Sequence, residues 1–223
     1  MFWLEIAQKE KRESLAGKFL FNSFYMYEEY FDFLNIDSQK KIALIKYAAL
    51  VMDYNKNINI TGAATIEDFI KEHIIDSLLA LNIFKNYDNI IDIGSGAGLP
   101  SIPLSIIYEN KKFTLCESKN KKADFLDSAK KELSLNNIEI KRVNVYEIKE
   151  KYDTITARAF SDIKTLLKIF KRLKNKNSVL IAYKGKLDKI KEELEEIKNI
   201  EKYNFKIKNL NNKEKERNIV IIK

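Results

Sequence analysis

The chain has 223 residues, 45% apolar and 11% aromatic, with a formal charge of +8: enough for one large domain or a domain with a helical extension, which excludes a disordered tail or a small stapled scaffold. No run of about 18 apolar residues occurs, which excludes a membrane-spanning helix, and the start Met1-Phe-Trp-Leu-Glu-Ile-Ala-Gln-Lys lacks a basic segment with a small-residue cleavage site, so a cytoplasmic protein is expected. One cysteine, Cys116, and one histidine, His73, make neither an internal disulfide nor a zinc cluster, so no metal site is expected.

Helical spacing covers 15–34 and 39–54, where Ile42, Ile45, Ala49 and Met52 recur every three or four residues after Asp37 or Ser38 as N-cap. The aromatic start of this stretch (Phe19, Phe21, Phe24, Tyr25, Tyr27, Tyr30, Phe31, Phe33) reads as a packing face, with base stacking as the sharper alternative. A further helix fits 66–84. From residue 85 the period changes, and β-branched runs mark seven strands at 89–93, 112–116, 138–145, 152–156, 178–183, 203–210 and 218–222. Helical stretches at 99–107, 121–135, 162–173 and 186–198 alternate with the first five strands, which reads as a parallel sheet with right-handed crossovers. The last two strands, joined by the polar stretch 211–217, read as an antiparallel hairpin. The chain thus divides into an N-terminal helical extension, residues 1–84, and an α/β domain, residues 85–223.

Charge follows that division. Residues 1–84 carry 9 Lys/Arg against 12 Asp/Glu, whereas residues 85–223 carry 31 against 20. A basic half suits a polyanion such as RNA, because phosphate neutralisation supplies most sequence-independent affinity. With 35 lysines against 5 arginines, compositional bias on solvated helix faces accounts for the same excess.

The segment Ile90-Ile-Asp-Ile-Gly-Ser-Gly-Ala-Gly-Leu-Pro100 places a buried strand, a glycine turn and a helix start in succession. Glycine tolerates positive φ and lets a ligand approach the backbone, and a helix N-terminus favours an anionic group. The spacing Gly94-x-Gly96-x-Gly98 brings the third glycine one residue early for a dinucleotide fingerprint. Asp92 precedes the loop. Glu117, ending the second strand 19 residues past Gly98, is placed to accept both hydroxyls of a ribose.

A seven-stranded sheet with one antiparallel hairpin strand is similar to that of class I (Rossmann-like) methyltransferases; a nicotinamide-binding sheet normally has six parallel strands. The ordered motifs Asn55-Lys-Asn-Ile-Asn59-Ile-Thr61, His73-Ile-Ile-Asp76-Ser77, Asp92-Ile-Gly-Ser-Gly-Ala-Gly-Leu-Pro-Ser-Ile-Pro103-Leu, Ala157-Arg158-Ala159 and Lys184-Gly185 resemble the RsmG (GidB) family. The resemblance implies an S-adenosylmethionine-dependent enzyme that methylates N7 of a guanosine in the 530 loop of small-subunit (16S) ribosomal RNA. It places Gly94 and Leu99 at the methionine end of the cofactor, with Gly96 and Gly98 in the same loop, Asp92 beneath it and Glu117 at the ribose. Val145 and Tyr146 would flank the adenine; the family often has an acidic residue where this chain has Tyr146, which leaves open how the adenine amine is received, a backbone carbonyl being one acceptor that could serve. Arg158 matches the family's arginine at the boundary of cofactor and RNA, and is the expected catalytic residue. Lys184 and Lys186, near the end of the fifth strand, are expected RNA contacts. The implied partner is 16S rRNA or the small ribosomal subunit, with the enzyme a monomer.

Guanine N7 carries a lone pair and no proton, so positioning rather than a general base is the expected catalytic device. The chain lacks the Asn/Asp-Pro-Pro-aromatic motif of exocyclic-amine methyltransferases and the Pro-Cys of C5 methylation, and Cys116, in a strand, reads as an inert buried thiol. His73 lies one helical turn from Phe69 and Asp76, where a bond to Asp76 or Ser77 would pin the extension to the sheet. Asn55, Asn59 and Thr61 read as loop hydrogen-bonders. Arg158 has a structural alternative, pairing with Asp153 or Asp162. Three other readings of the whole are an NAD-linked oxidoreductase, opposed by the early third glycine, a non-catalytic RNA-binding protein that retains the fold, and a methyltransferase for a small molecule, left open if the basic half is mere composition.

Overall fold

The computed structural model describes residues 26–210 and 215–223. A 3-10 turn (Glu28–Phe31) precedes helix α1 (Ser38–Asn55), whose N-cap Asp37 accepts a bond from the Lys40 amide. Helix α2 follows as three continuous pieces, α-helical Ile66–Phe69, a π turn over Ile70–Ile74 and α-helical Ile75–Leu79, and a short helix α3 (Leu81–Phe84) succeeds it. The remainder alternates: β1 (Asn89–Ile93), α4 (Ser101–Ile107), β2 (Lys112–Cys116), α5 (Asn120–Glu132), β3 (Ile138–Lys141), β4 (Tyr152–Arg158), α6 (Ile163–Leu173), β5 (Lys174–Lys184), α7 (Leu187–Glu195), β6 (Phe205–Asn209) and β7 (Asn218–Ile222).

The strands form one sheet in the order β3-β2-β1-β4-β5-β7-β6. The first five are mutually parallel, and β7 runs antiparallel between β5 and β6. This is the expected class I methyltransferase sheet. Building outward from β1 to β3 and then returning to β4 brings the carboxyl ends of β1 and β4 together where the direction of winding reverses, and ligands of such sheets collect there.

Strand periodicity of two sorts the core onto both faces. Ile90, Phe113, Leu115, Val179, Ile181 and Ile219 face α1 to α5, whereas Ile91, Ile93, Ile155, Leu180, Val220 and Ile222 face α6 and α7. Leu44, Tyr47, Phe69, Ile74, Leu78 and Phe84, from before residue 85, are fully buried within the first cluster. Each such burial contributes about 1.5–3 kcal/mol, so the helical segment is sheet cover rather than appendage.

Several boundaries differ from the sequence reading. The third strand stops at Lys141 instead of 145, because the Asn144 side chain accepts from the Tyr146 amide while the Glu147 carboxylate accepts from the Asn144 amide, folding Val145–Glu147 into a 3-10 turn. The helix expected over 66–84 carries the π turn and breaks at Ala80. Strand β4 runs on to Arg158, and β5 starts directly after α6, with a register shift between Tyr152 and Thr154. Of the helix expected at 15–34, residues 15–25 lie outside the described residues, as do Phe19, Phe21, Phe24 and Tyr25. Phe31 is buried, Tyr27 stacks on Tyr30, and Phe33 is exposed.

Candidate active site

The glycine loop leaves β1 with Gly94, Gly96 and Gly98 at φ +66°, +57° and +92°. The Gly94 and Ser95 amides donate to the Cys116 carbonyl at the end of β2, the Gly98 and Leu99 amides donate to the Ser95 carbonyl, and the Tyr47 hydroxyl of α1 donates to the Ala97 carbonyl at 2.7 Å. The three glycines differ in what a side chain would meet. A Cβ at Gly94 would stand 2.3 Å from the Phe160 ring, and one at Gly98 would stand 2.3 Å from Ile102 Cδ1. At Gly96 the nearest atom would be the Gly94 carbonyl oxygen at 3.9 Å. Packing therefore requires two of the glycines, and open space lies only before Gly96.

The expectation of an anion on free amides at a helix start is corrected by this geometry. Five of the loop amides, those of Gly94, Ser95, Gly96, Gly98 and Leu99, bond within the protein, and α4 spans only seven residues. The charged groups of the site are instead two carboxylates. Glu117, 6% exposed, accepts from the Gly96 amide at 3.0 Å and the Lys119 amide at 2.9 Å, one bond to each oxygen, which leaves lone pairs for ligand hydroxyls. Asp92, 1% exposed, has neither oxygen hydrogen-bonded. Burial pushes its carboxyl up to about 8, with the Ser101 and Ser95 hydroxyls opposing and the Glu117 charge adding to the rise. A buried carboxylate without a partner is costly unless a cation or donor completes it. The pair fits the cationic groups and ribose hydroxyls of S-adenosylmethionine and disfavours a pyrophosphate.

Val145 is buried in the 3-10 turn after β3, not at a strand end. Tyr146 is 52% exposed; the Arg172 guanidinium lies over its ring at 5.7 Å and donates to its carbonyl at 2.7 Å. The Tyr146 carbonyl thus already accepts one bond. Leu99 is half-buried at the loop's end. Cys116 is buried with its thiol pushed up to about 12 by desolvation and neighbouring carboxylates, an unreactive state.

Arg158 leaves the end of β4 and turns inward, 13% exposed, onto α2. Its Nη1 donates to the His73 carbonyl at 2.9 Å and Ser77 Oγ at 3.3 Å; its Nη2 donates to the Glu72 carbonyl at 3.0 Å, His73 Nδ1 at 2.9 Å and Asp76 Oδ2 at 3.1 Å. The partner carboxylate is Asp76, not Asp153 or Asp162. Arginine only donates, so His73 Nδ1 is an acceptor and the ring is neutral; burial and then the Arg158 charge hold the imidazole down at about 4. His73 does pin the helical segment to the sheet, through Arg158 rather than through its own bond to Asp76. Arg217 adds a second cation on Asp76 Oδ2 at 2.8 Å, and the Tyr183 hydroxyl donates to the Ser77 carbonyl. Sequence reasoning did not single out Arg217, Tyr183, Tyr47 or Phe160; the rarity of arginine was a usable signal for Arg217.

Lys184 donates to Glu193 Oε2 at 2.6 Å and the Ser161 carbonyl at 2.8 Å. It secures the loop between β4 and α6 and does not point free at a substrate. Lys186 is exposed at the N-cap of α7. Asn55 accepts from the Ile60 and Thr61 amides, and Thr61 from the Ala63 amide, which makes them loop formers as expected. Among the described residues there is no cluster able to hold a metal, and no helix is long and apolar enough to cross a membrane.

Two outcomes test this geometry. Asp92 keeps its proton to a higher pH folded than unfolded, so between about 4 and about 8 the folded state binds the proton that the unfolded state has released, and stability falls as pH rises through that window. Asp92→Asn does not titrate there. Its melting temperature relative to the native chain should therefore climb from about pH 5 to about pH 8 and level off above, and a flat difference would contradict the assignment. For the buried pair, Arg158→Ala should cost about 3–5 kcal/mol in denaturant unfolding, because Asp76 loses one of its cations in a buried setting. Arg158→Lys should be intermediate, since one ammonium cannot reach two carbonyls, an imidazole and a carboxylate together. Equal stability of the three chains would remove the structural role.

The chain's likenesses agree with this site. The family described as rRNA small subunit methyltransferase G (GidB) matches residues 40–220. A "Ribosomal RNA small subunit methyltransferase G" from Brachyspira hyodysenteriae is 69% identical over 191 residues, covering 85% of this chain and 93% of that protein. One from Francisella tularensis subsp. tularensis is 36% identical over 180 residues, covering 80% and 85%. Among solved structures, the mitomycin 7-O-methyltransferase superposes with a TM-score of 0.58 at 15% identity, covering 79% of this chain and 60% of that one. The precorrin-6y C5,15-methyltransferase of Geobacter metallireducens superposes with a TM-score of 0.52 at 15% identity, covering 66% and 86%; these two likenesses bear on the fold alone. With the sheet order, the carboxylate pair beside the glycine loop and a match running through 181 of its residues, the chain belongs to the rRNA small subunit methyltransferase G family.

Proposed function

We propose that this protein methylates N7 of a guanosine in the 530 loop of 16S rRNA, acting in the cytoplasm as a monomer on the rRNA or the small subunit. It is an S-adenosylmethionine-dependent rRNA methyltransferase by family. The cofactor supplies a methyl already activated by a sulfonium, and an N7 lone pair accepts it without first losing a proton. What the chain supplies is placement. Gly96 leaves backbone space, Glu117 offers acceptors for ribose hydroxyls, and Asp92 offers a buried carboxyl, without a hydrogen bond of its own, that a cation would bring to its charged form.

The observation that carries the choice of acceptor is that the described site has no free imidazole or thiolate, and that its one carboxyl held up to about 8, Asp92, is enclosed within β1 at the foot of the glycine loop. His73 is neutral with Nδ1 engaged by Arg158, and the Cys116 thiol stays protonated. An acceptor needing deprotonation or covalent activation would find neither, whereas guanine N7 needs neither. Arg158, engaged on α2, is a positioning residue in this reading. The RNA surface is a cleft of about 460 Å³ between α2, α7, the ends of β4 and β5 and the approach to β7, lined among others by His73, Arg158, Lys184, Lys186, Lys189 and Arg217. With Lys184 held by Glu193, phosphate contact falls to the exposed Lys186 and Lys189. Among the described residues the exposed large apolar side chains, Met26, Phe33, Tyr146, Phe160 and Phe205, come from separate elements, in keeping with a monomer.

Transfer of labelled methyl to 16S rRNA, followed by mapping of the modified atom, tests the reading. Label on guanine N7 is expected; label on an exocyclic amine, or none in RNA, would overturn it. Gly96→Val and Glu117→Ala should each weaken cofactor binding at least about tenfold by calorimetry, a loss of roughly 1.4 kcal/mol. RNA affinity should fall steeply with salt. Charge reversal at Lys186 or Lys189 should reduce the salt slope by about 1, with Lys202, exposed before β6, as the insensitive control.

A further inference from the structure

The loop after β4 sends two consecutive large side chains to opposite destinations. Ala159 between them takes φ +52°, a left-handed conformation unfavourable for a residue with a Cβ. Arg158 goes into the buried pair with Asp76, and Phe160 goes out over the glycine loop, its ring edge so close to Gly94 that a Cβ there would meet Cδ2 at 2.3 Å and Cε2 at 2.9 Å. Phe160 nevertheless stays 40% exposed. This exposure is built in, because the loop is fixed beyond the ring: Lys184 donates to the Ser161 carbonyl, Asp162 caps α6 on the Thr165 amide, and the Ile163 amide donates to Glu193.

We propose that the exposed face of Phe160 is the surface on which the acceptor guanine stacks. The inference rests on the N7 reading above and deepens it. The usual protein grip on guanine is an arginine fork to O6 and N7, and a donor on N7 would occupy the very lone pair that must attack the methyl. The arginine nearest in sequence, Arg158, has its fork turned away onto Glu72, His73 and Asp76. Stacking holds a purine by its π face and leaves every ring nitrogen unbonded. The ring also stands between the two places the reaction must join: the glycine loop, through Gly94, and the basic cleft, whose wall begins at its neighbour Ala159. The open space before Gly96 and the Glu117 carboxylate lie at other residues of the loop, so the ring leaves that side for the cofactor.

The test compares Phe160→Ala, Phe160→Leu, Phe160→Tyr and Phe160→Trp in single-turnover methyl transfer to a 16S rRNA fragment, with melting temperature and S-adenosylhomocysteine affinity measured on each. Loss of at least about tenfold in kcat/KM for RNA is expected for the alanine and leucine variants, with near-native activity for the tyrosine and tryptophan variants. S-adenosylhomocysteine affinity should stay within about twofold throughout, as expected for a ring that packs on Gly94 and leaves the Gly96 side of the loop to the cofactor. Full activity in Phe160→Leu would overturn the proposal, since bulk without a π face would then suffice. So would a loss of cofactor affinity in Phe160→Ala as large as the loss of transfer, which would make the ring part of the cofactor site. Should Phe160→Ala melt early, Phe160→Leu against Phe160→Tyr decides alone. Mapping the product of the native enzyme separates the two ideas: label on N7 with an active leucine variant sinks stacking alone, whereas label elsewhere sinks the N7 reading and, with it, the reason offered here for stacking.

Discussion

Two cations, Arg158 from the end of β4 and Arg217 from the start of the last strand's approach, converge on one carboxylate oxygen of Asp76 in α2, itself almost wholly excluded from water. Such a group costs several kcal/mol in desolvation, and is held only where geometry and additional hydrogen bonds repay it. The π turn contributes those bonds. The bond from the Ile75 amide to the Ile70 carbonyl spans five residues, and the carbonyls of Glu72 and His73 in that widened turn accept from the guanidinium. A helix segment, the central strand and the terminal hairpin therefore share one ionic centre. Because Arg158 is committed to it, the backbone immediately beyond must turn sharply at Ala159, and Phe160 is delivered to the glycine loop. The placement of Phe160 against the glycine loop follows from a pair that need not touch a ligand.

The glycine loop shows the complementary arrangement, in which a stabilising partner is missing by construction. Asp92 sits in β1 between Ile91 and Ile93, whose burial it shares, and pairs in register with Leu115 and Thr156. An apolar residue there would suit the sheet better. Its carboxyl held at about 8 is the expression of that conflict, and a site that sacrifices stability for an unsatisfied group is the place to look for a ligand that satisfies it. Glu117, already holding the Gly96 and Lys119 amides, is structural and ligand-ready at once.

Period and spacing made much of this legible. Alternating apolar residues such as Leu180 and Ile181 announced strands covered on two faces, and the polar stretch before Asn218 announced the hairpin. The glycine turn, Asp92 and Glu117 were visible as a local motif. Hidden were the long-range pairings. Nothing near Arg158 in sequence points to Asp76, 82 residues away, and nearby Asp153 and Asp162 were the natural but wrong partners. Asp162 is instead the N-cap of α6. Strand β3 was overextended because Val143 and Val145 carry strand propensity, which the Asn144 and Glu147 side chains override by capping a turn. The π turn has no periodic signature, since widening a helix by one residue leaves Phe69, Ile70 and Ile74 all buried.

Three side chains that a sequence reader would nominate for chemistry, His73, Cys116 and Arg158, are each placed where they cannot exchange protons or attack. The histidine is held neutral by burial and by the arginine that bonds it, the thiol is held protonated by burial beside two carboxylates, and both terminal nitrogens of the guanidinium are engaged on α2. An enzyme with its reactive groups disarmed in this way is suited to a reaction between two partners that are already competent, where the protein lowers the barrier by holding them in line and excluding other nucleophiles. On the proposed reading the acceptor is an atom with a free lone pair, and specificity would rest on shape: a loop with one open glycine, a ring turned outward by a left-handed alanine, and a basic cleft beside them.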